Sequence, residues 1–213
     1  MKTPRRLLPP LLLLPILLLA GCSSLFNVQR TPLTIYSPHL SAPQNASAAA
    51  RVTWQLEVET PLASNALDTT RILVMPTPGV LEVFPNARWR DAAPVLLRDL
   101  IVQGFQDSQR ILGVGSTASG LRADYALGID LSDFQLEIAA GTAHAAIRFQ
   151  ASLLDYATNR VLATRAFAAD VPATSTNAAS AFAAFQTALG TIVPEVVDWT
   201  LREGETAHAK PSP

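Results

Sequence analysis

The residue with the most distinctive chemistry in this chain is Cys22, the single cysteine among 213 residues. A thiol can act as a nucleophile, pack as a small apolar side chain, or carry a covalent attachment. The preceding residues favour attachment. Lys2, Arg5 and Arg6 give the chain a positive start, and residues 7–19 then run without a charged side chain. This order is typical of a secretory signal peptide.

The apolar run does not suit a transmembrane helix, because a bilayer crossing needs about 20 apolar residues and the run is shorter and interrupted by prolines. Its last residues, Leu19-Ala20-Gly21-Cys22, resemble the bacterial lipobox. We therefore predict a signal peptide over residues 1–21 and a lipid attachment site at Cys22, which would carry a diacylglycerol and an N-acyl chain such as palmitate. An unmodified thiol in an exported protein is the alternative.

A glycine-rich stretch from Gly113 to Gly120 has two glycines at the spacing of a phosphate-binding loop. Leu121 and Arg122 stand where that loop needs Lys followed by Ser or Thr. The stretch is therefore interpreted as a linker after a helix.

The titratable side chains do not form a recognisable catalytic or metal-binding set. His39, His144 and His208 lie far apart and lack partners at zinc-ligand spacing. Asp130 and Asp133 are the nearest carboxylate pair within a predicted strand, and solvated acids are the simpler interpretation. We predict no catalytic residue, no metal site and no cofactor, and hence no enzyme.

The segment Arg88-Trp89-Arg90 places an aromatic residue between two cations just before a predicted helix. Trp and Arg are enriched where proteins bind one another. A partner-docking role is therefore one hypothesis for these three residues. The alternative is that Trp89 covers the start of the helix while the arginines are solvated.

The elements that would position these residues can be read from hydrophobic periodicity. Alternating patterns predict strands over 52–58, 71–75 and 80–84, the last two joined by a turn at residues 76–79. Asp91 is predicted to cap a helix that has Pro94 in its first turn and ends near Ser108. Three long strands follow, the last two as an antiparallel hairpin.

Two irregularities stand out in the later elements. The apolar phase within residues 124–138 shifts by one position, which predicts a β-bulge near Ser132 and Asp133. Gly190 and Pro194 interrupt the helical pattern of the closing segment, which predicts a kink or two short helices. The series predicts an α+β fold, a single domain with two helical elements on one face of a mainly antiparallel sheet.

Composition sets the domain boundaries. Removing residues 1–21 leaves 192 residues with three fewer of the 16 basic side chains and all 17 acidic ones, a net charge of −4. No basic cluster suggests nucleic acid. We predict a flexible tether over 22–50, because residues 41–50 are small and polar, a folded domain over 51–202 and a disordered tail over 203–213.

The ordered series of motifs resembles the ABC-type transport auxiliary lipoproteins, the PqiC-like family. The resemblance runs through the lipobox, YSPH near residue 36, RILVMPTPGVLEVFPNARWRDAAPVLLRDLI, ADYALGIDLSDFQLEI, the hairpin that follows and the closing VVDWT. It implies a non-catalytic accessory component of a lipid transport system, in which an inner-membrane ABC transporter works with an MCE-domain protein that bridges the periplasm.

The resemblance also implies a location. The lipoprotein would sit on the periplasmic face of the outer membrane, anchored in its inner leaflet, since Ser23 stands where aspartate usually retains lipoproteins at the inner membrane. There it would dock the MCE protein. An envelope-assembly lipoprotein for barrel proteins or lipopolysaccharide is the alternative, followed by a lipid-anchored hydrolase. The transported lipid, its direction of movement and a homo-oligomeric state stay open.

Overall fold

A computed structural model describes residues 32–41 and 50–209, which form two helices and a sheet of nine strands. The predicted signal peptide, Cys22, much of the predicted tether and the last four residues lie outside these ranges. In chain order the elements are β1 (Thr34–Tyr36), β2 (Val52–Val58), β3 (Leu62–Ala63), β4 (Arg71–Thr77), β5 (Val80–Trp89), α1 (Ala93–Ser108), β6 (Ile111–Ser116), a short 3₁₀ helix (Thr117–Ser119), β7 (Tyr125–Ala139), β8 (Thr142–Asp155), β9 (Arg160–Ala173) and α2 (Ala178–His208).

Strand β7 is the centre of the sheet. Along one edge it pairs over its whole length with β8, and β8 pairs with β9, both antiparallel. Along its other edge it pairs in turn with β2, β3 and β4, all parallel to it. The sheet therefore divides on that side into two arms. One arm continues from β2 to β6, and the other continues from β4 through β5 to β1.

The prediction of a mainly antiparallel sheet is wrong, although the α+β class is confirmed. Among the described residues, five of the eight strand pairings are parallel. Alternating side chains reveal a strand but not its direction. The predicted hairpins are antiparallel because short turns join them, whereas β2 and β6 lie parallel because a long connection that includes α1 returns the chain to the same end of the sheet.

The glycine-rich stretch begins as strand β6 rather than as a linker, because Gly113 and Gly115 pair with Gln55 and Glu57 of β2.

The predicted bulge in β7 is confirmed. Its register against β8 shifts between Leu131 and Asp133, so that Leu131 faces Phe149 and Asp133 faces Arg148. Leu131 and Phe134 are both buried, although an uninterrupted strand would place them on opposite faces. The bulge therefore lets one long strand keep its apolar side chains on the core along its whole length.

Helix α1 ends at Ser108 as predicted, with Gln109 in the left-handed region, and Pro94 lies in its first turn. The predicted N-cap is wrong. Ala92 occupies that position without a side-chain hydrogen bond, and Asp91 instead forms an ion pair with Arg90 at 2.7 Å. Ala92, in extended backbone, separates Asp91 from the first helical residue, and the Asp91 carboxylate contacts Arg90 rather than the helix amides.

The sequence predicts a kink or two short helices, and the second alternative is wrong, because helix α2 runs through Gly190 and Pro194 as one element. Its N-cap is Asn177, whose side chain accepts a hydrogen bond from the Ser180 amide at 2.8 Å. It continues to His208, which also corrects the predicted disordered tail over its first six residues. Burial of Leu201 and Gly204 against the core explains why the helix extends so far.

Within the described residues, α2 alone is long and apolar enough to cross a membrane. Half of its most apolar window is buried inside the fold. Length and composition therefore do not separate it from an ordinary core helix, and its contacts are those of a helix that covers a sheet.

The folded unit begins well before Arg51, so the predicted flexible tether is wrong for the described residues 33–41. Strand β1 pairs with β5, placing Thr34 beside Ala87 and Tyr36 beside Trp89. The ring of Tyr36 packs on that of Phe182 in α2, with 5.0 Å between centroids. These contacts attach the segment before residue 42 to both layers of the domain.

Both helices and both arms of the sheet contribute to the main core cluster, and Val74, Leu136, Ala143 and Ala181 form a smaller one. The aromatic centre of the main cluster joins Trp89, Phe134 and Phe185, whose ring centroids lie 5.1–5.7 Å apart. The Trp89 and Phe134 rings meet edge to face while Phe134 and Phe185 stack, which are both favourable aromatic arrangements.

Substitution by alanine at two glycines of the facing helices should change the stability of the fold in opposite directions. A Cβ at Gly104 would lie 2.6 Å from Val193 Cγ1, whereas nothing lies within 4 Å of one at Gly190. We expect Gly190→Ala to raise the free energy of unfolding by up to about 1 kcal/mol through helix propensity. Gly104→Ala should lower it by about 1–2 kcal/mol, because overpacking outweighs that gain.

Urea denaturation of the two variants, measured side by side, checks this pair. Equal stabilisation by both substitutions would contradict the close approach of α1 and α2 at Gly104.

Candidate functional site

The predicted docking segment Arg88-Trp89-Arg90 is split between core and surface. Trp89 is 2% exposed and belongs to the aromatic centre, so its part in that prediction is wrong. Arg88 of β5 and Arg90, which directly follows β5, point away from the core, and both are exposed. The Arg90 guanidinium donates to Asp91 at 2.7 Å and to the Ser37 hydroxyl at 3.3 Å. The two arginines stay predicted contact residues.

A groove between α1 and α2 is a concavity with a largely apolar lining. It has a volume of about 530 Å³, and we call it the interhelical groove. Gly104 lies on its α1 side, and Val193 and Val197 lie on its α2 side. Gly190 and Pro194 form the outer part of the α2 wall.

The groove exists because of residue types that ordinary helices avoid. Gly190 has no side chain to fill the space beside α1. Pro194 has no amide hydrogen, so the Gly190 carbonyl four residues earlier lacks its usual helical donor. The two residues together leave a hollow and an acceptor on the exposed side of a helix whose opposite side is buried.

The rim of the interhelical groove is polar. Arg110 at the end of α1 forms an ion pair with Asp198 of α2. Asp107 and Ser108 complete the α1 side, and Gln186 lies towards the start of α2. An apolar floor inside a polar rim is the arrangement common to protein-binding surfaces.

One end of the groove already holds a peptide, which is the chain's own segment after β1. The His39 amide donates to the Gln186 side-chain oxygen at 3.1 Å, and the Gln186 amide nitrogen donates to the His39 carbonyl. Leu40 and Ser41 then line the groove itself. Gln186 thus recognises the backbone of an extended chain, independently of its side chains.

A cluster of polar side chains lies on the face of β7, β8 and β9 that points away from α2. We call it the Arg148 cluster, and its members are Asp133, Gln135, Glu137, His144, Arg148 and Asp170. Arg148 donates to both oxygens of Glu137, at 2.7 and 3.2 Å. Its guanidinium also lies 3.7 Å from Asp133 and 3.6 Å from Asp170.

The polar side chains of the Arg148 cluster form hydrogen bonds and ion pairs with one another. Gln135, 2% exposed, donates to Asp133 at 2.8 Å and to Glu137 at 3.2 Å. His144 contacts Asp170 at 2.9 Å. Within the described residues, no group of three or more His, Cys, Asp or Glu side chains could hold a metal ion.

The pKa of Glu137 is lowered, chiefly by the hydrogen bond and charge of Arg148, and the pKa of Arg148 is raised by the same pair. The ionised pair is therefore the stable form. Asp130, the other member of the predicted carboxylate pair, is exposed and lies across the bulge from Asp133. The two acids are not held across a common cavity.

Sequence reasoning missed the interhelical groove. Its signals were present as Gly104, Gly190 and Pro194, three residues disfavoured in helix interiors. The interruption at Gly190 and Pro194 was noticed, but periodicity cannot say which face of a helix meets its neighbour. Cys22 lies outside the described residues, so lipid attachment there stays a prediction.

The Glu137–Arg148 pair should stabilise the fold in a pH-dependent way. Because the Glu137 pKa is lowered on folding from its ordinary value of 4.5, the pair's contribution is complete above that value and is lost as pH falls through the folded-state pKa. We expect Glu137→Gln to lower Tm at pH 7 by about 2–4 °C, which corresponds to about 1 kcal/mol for a partly exposed pair. At pH 3 the difference should shrink.

Thermal unfolding at the two pH values measures this effect. Glu82→Gln is the control, since Glu82 is exposed and forms no ion pair with any residue that the structure describes. A loss of Tm for Glu137→Gln that is the same at pH 3 and pH 7 would contradict the role of the ionised carboxylate.

Proteins of known structure share this fold. The chain is 37% identical to a crystal structure of protein XCC0632 from Xanthomonas campestris, of family DUF330, which covers 83% of this chain and 100% of the other with a TM-score of 0.77. A second solved structure, described as an uncharacterized protein, shares the fold at 12% identity, with a TM-score of 0.62, over 79% of this chain and 99% of the other.

A curated relative comes from Bradyrhizobium diazoefficiens and is described as uncharacterized. It is 28% identical over 163 residues, or 76% of this chain. The chain spans 44% of the length of that protein.

Residues 37–197 match the family described as the ABC-type transport auxiliary lipoprotein component. The match begins just after β1 and ends within α2, so it contains β2 to β9, α1 and almost the whole lining of the interhelical groove. The resemblance noted in the sequence is thereby confirmed, and the chain belongs to the ABC-type transport auxiliary lipoprotein family.

Proposed function

We propose that this protein is a non-catalytic, lipid-anchored component of an ABC transport system that moves lipid across the periplasm, and that it docks an MCE-domain protein at the outer membrane. The observation that carries this proposal is the family match over residues 37–197. A family of auxiliary transport components supports an accessory role rather than catalysis.

The anchor in this proposal is Cys22, with acyl chains in the inner leaflet of the outer membrane. Two or more chains on one residue hold a protein firmly, whereas a single chain binds only marginally. Ser23 supports outer-membrane sorting in this proposal. Anchoring would leave the folded domain in the periplasm, where a bridging protein arrives.

The interhelical groove is the docking surface in this proposal, and an extended segment of the MCE protein is its occupant. The chain's own residues 39–41 show what the surface accepts. Gln186 holds the backbone of His39 from both sides, and Leu40 lies against Gly104. A partner segment with small apolar side chains would continue along the exposed Gly190 and Pro194 towards the Arg110–Asp198 pair.

Filling the groove tests this docking surface. Gly190→Trp would place an indole in open space, because nothing lies within 4 Å of a Cβ there. Trp also has a higher helix propensity than Gly, so α2 should persist. The full-length protein would be crosslinked briefly in cells, extracted in mild detergent and purified, and its partners identified by mass. We expect an MCE-domain protein with the unaltered chain and about tenfold less with Gly190→Trp, equivalent to about 1.4 kcal/mol.

Gly190→Ala is the matched control, since it changes the same position without filling the groove. Its recovery of the MCE protein should equal that of the unaltered chain. Equal recovery by all three proteins would remove the groove from the proposal. Recovery of barrel-assembly proteins instead of an MCE protein would sink the transport function and favour envelope assembly.

A further inference from the structure

Three positions of α2 follow one another along the interhelical groove at intervals of four residues. They are Gln186, Gly190 and Pro194, and all three line the groove. Residues four apart lie on the same side of a helix, about 6 Å from one another along its axis. The side of α2 that faces the groove therefore presents Gln186 and Gly190 one turn apart, with Pro194 one turn further on.

The first of these positions already binds a peptide segment through its backbone. The His39 amide donates to the Gln186 side-chain oxygen at 3.1 Å, and the Gln186 amide nitrogen donates to the His39 carbonyl. Both backbone groups of His39 thus point towards α2. Tyr36, three residues earlier, packs on Phe182, which lies one turn before Gln186. The bound segment therefore runs in the same direction as α2.

The second position offers a backbone acceptor. In a regular helix the amide of residue 194 would donate to the Gly190 carbonyl, but Pro194 has no amide hydrogen. Both residues are exposed, and Gly190 has no side chain that could cover its carbonyl. Ser41 also lines the groove, but no hydrogen bond joins its amide to this carbonyl. The carbonyl is therefore available to a donor that enters the groove.

The spacing of the two positions matches that of an extended chain. In such a chain the N–H and C=O of one residue point to the same side, and those of the residue two positions further on do so too. Two extended residues span about 6.6 Å, close to the roughly 6 Å between Gln186 and Gly190 along α2. A helical occupant lacks this match, because beyond its first turn its amides bond within its own helix.

We propose that the Gly190 carbonyl accepts a hydrogen bond from a backbone N–H of the extended MCE segment, and that Pro194 is the residue that keeps this acceptor free. The inference deepens the proposed function and rests on it, because the occupant is the segment assigned there to the groove. Helix α2 then binds backbone at two successive turns, the chain's own at Gln186 and the partner's at Gly190. The partner residue that donates can have any side chain except that of proline, which lacks the N–H.

Pro194→Ala tests this role, because alanine supplies the missing N–H to the Gly190 carbonyl. Measured on the full-length protein in mild detergent, Tm should rise by about 5 °C, since proline is the least favourable residue in a helix interior. In the crosslinking and purification from cells described above, recovery of the MCE protein should fall about fivefold, as expected for the loss of one neutral hydrogen bond. A residue that only maintains the fold would not combine higher stability with weaker binding.

Two further variants separate the free acceptor from other effects. Pro194→Val supplies the N–H and also restores an apolar side chain of similar size, so recovery should fall as it does with Pro194→Ala. Gly190→Ala keeps Pro194 and the free carbonyl, and it should recover as much MCE protein as the unaltered chain. This second variant controls for stabilisation of α2, which it produces without supplying a donor.

Undiminished recovery with Pro194→Ala would overturn the inference. Undiminished recovery with Pro194→Val alone would overturn it as well, because Pro194 would then contribute an apolar contact and not a free acceptor. An unchanged Tm for Pro194→Ala would contradict it too, since the carbonyl would already have had a donor. Failure of the proposed function is distinguishable from all three, because in that case the unaltered chain itself recovers no MCE protein.

Discussion

The packing of helix α2 against aromatic side chains from five strands is the contact on which the rest of the domain depends. Tyr36 of β1 meets Phe182, Trp89 of β5 and Phe134 of β7 meet Phe185, and Phe167 of β9 meets Trp199. Further along, the Trp54 ring of β2 lies so close to Gly204 that a Cβ there would come within 2.4 Å.

This packing compensates for the division of the sheet into two arms. One edge of β7 carries two separate arms, and neither arm pairs with the other through backbone hydrogen bonds along its own length. A divided sheet would leave each arm free to move about β7. Because α2 contacts both arms and the β8–β9 hairpin, side-chain burial supplies the connection that backbone pairing does not, and its length of 31 residues follows from the distance it must cover.

The interhelical groove is a by-product of the same helix. The buried face of α2 is fully used by the sheet, so α1 can approach only along one side, and it does so where Gly104 admits Val193. Beyond that point Gly190 has no side chain to fill the space beside α1, and Pro194 has no amide hydrogen to donate to the Gly190 carbonyl. The core therefore depends on the regularly spaced apolar side chains of one face of α2, whereas the groove depends on Gly190 and Pro194 on its exposed face.

The sequence allowed the elements and several of their details to be predicted, because these depend on local patterns. The alternating phase on either side of Ser132 located the bulge, and the spacing from Leu96 to Phe105 located α1. Strand direction could not be predicted, since β2 and β4 would show the same alternation in either orientation. The role of Trp89 was ambiguous for a similar reason. An Arg-Trp-Arg sequence is expected both on a docking surface and at the end of a strand whose tryptophan points into the core.

The extent of the folded unit was misjudged at both ends for one physical reason. Residues 203–208 have no large apolar side chain, and residues 33–41, which have four, adjoin the small and polar stretch 41–50. Both segments are ordered by specific contacts with distant residues, such as Gln186 with the His39 backbone and Trp54 with Gly204. Contacts of this kind depend on partners more than a hundred residues away, which a local pattern does not contain.

The position of α2 along the chain has a consequence for synthesis. Because α2 follows the nine strands that the structure describes, a nascent chain can assemble hairpins but cannot close its core until this helix emerges. Before that moment the aromatic side chains of five strands have no common partner. The described domain is therefore expected to complete its folding only after this last helix has been synthesised.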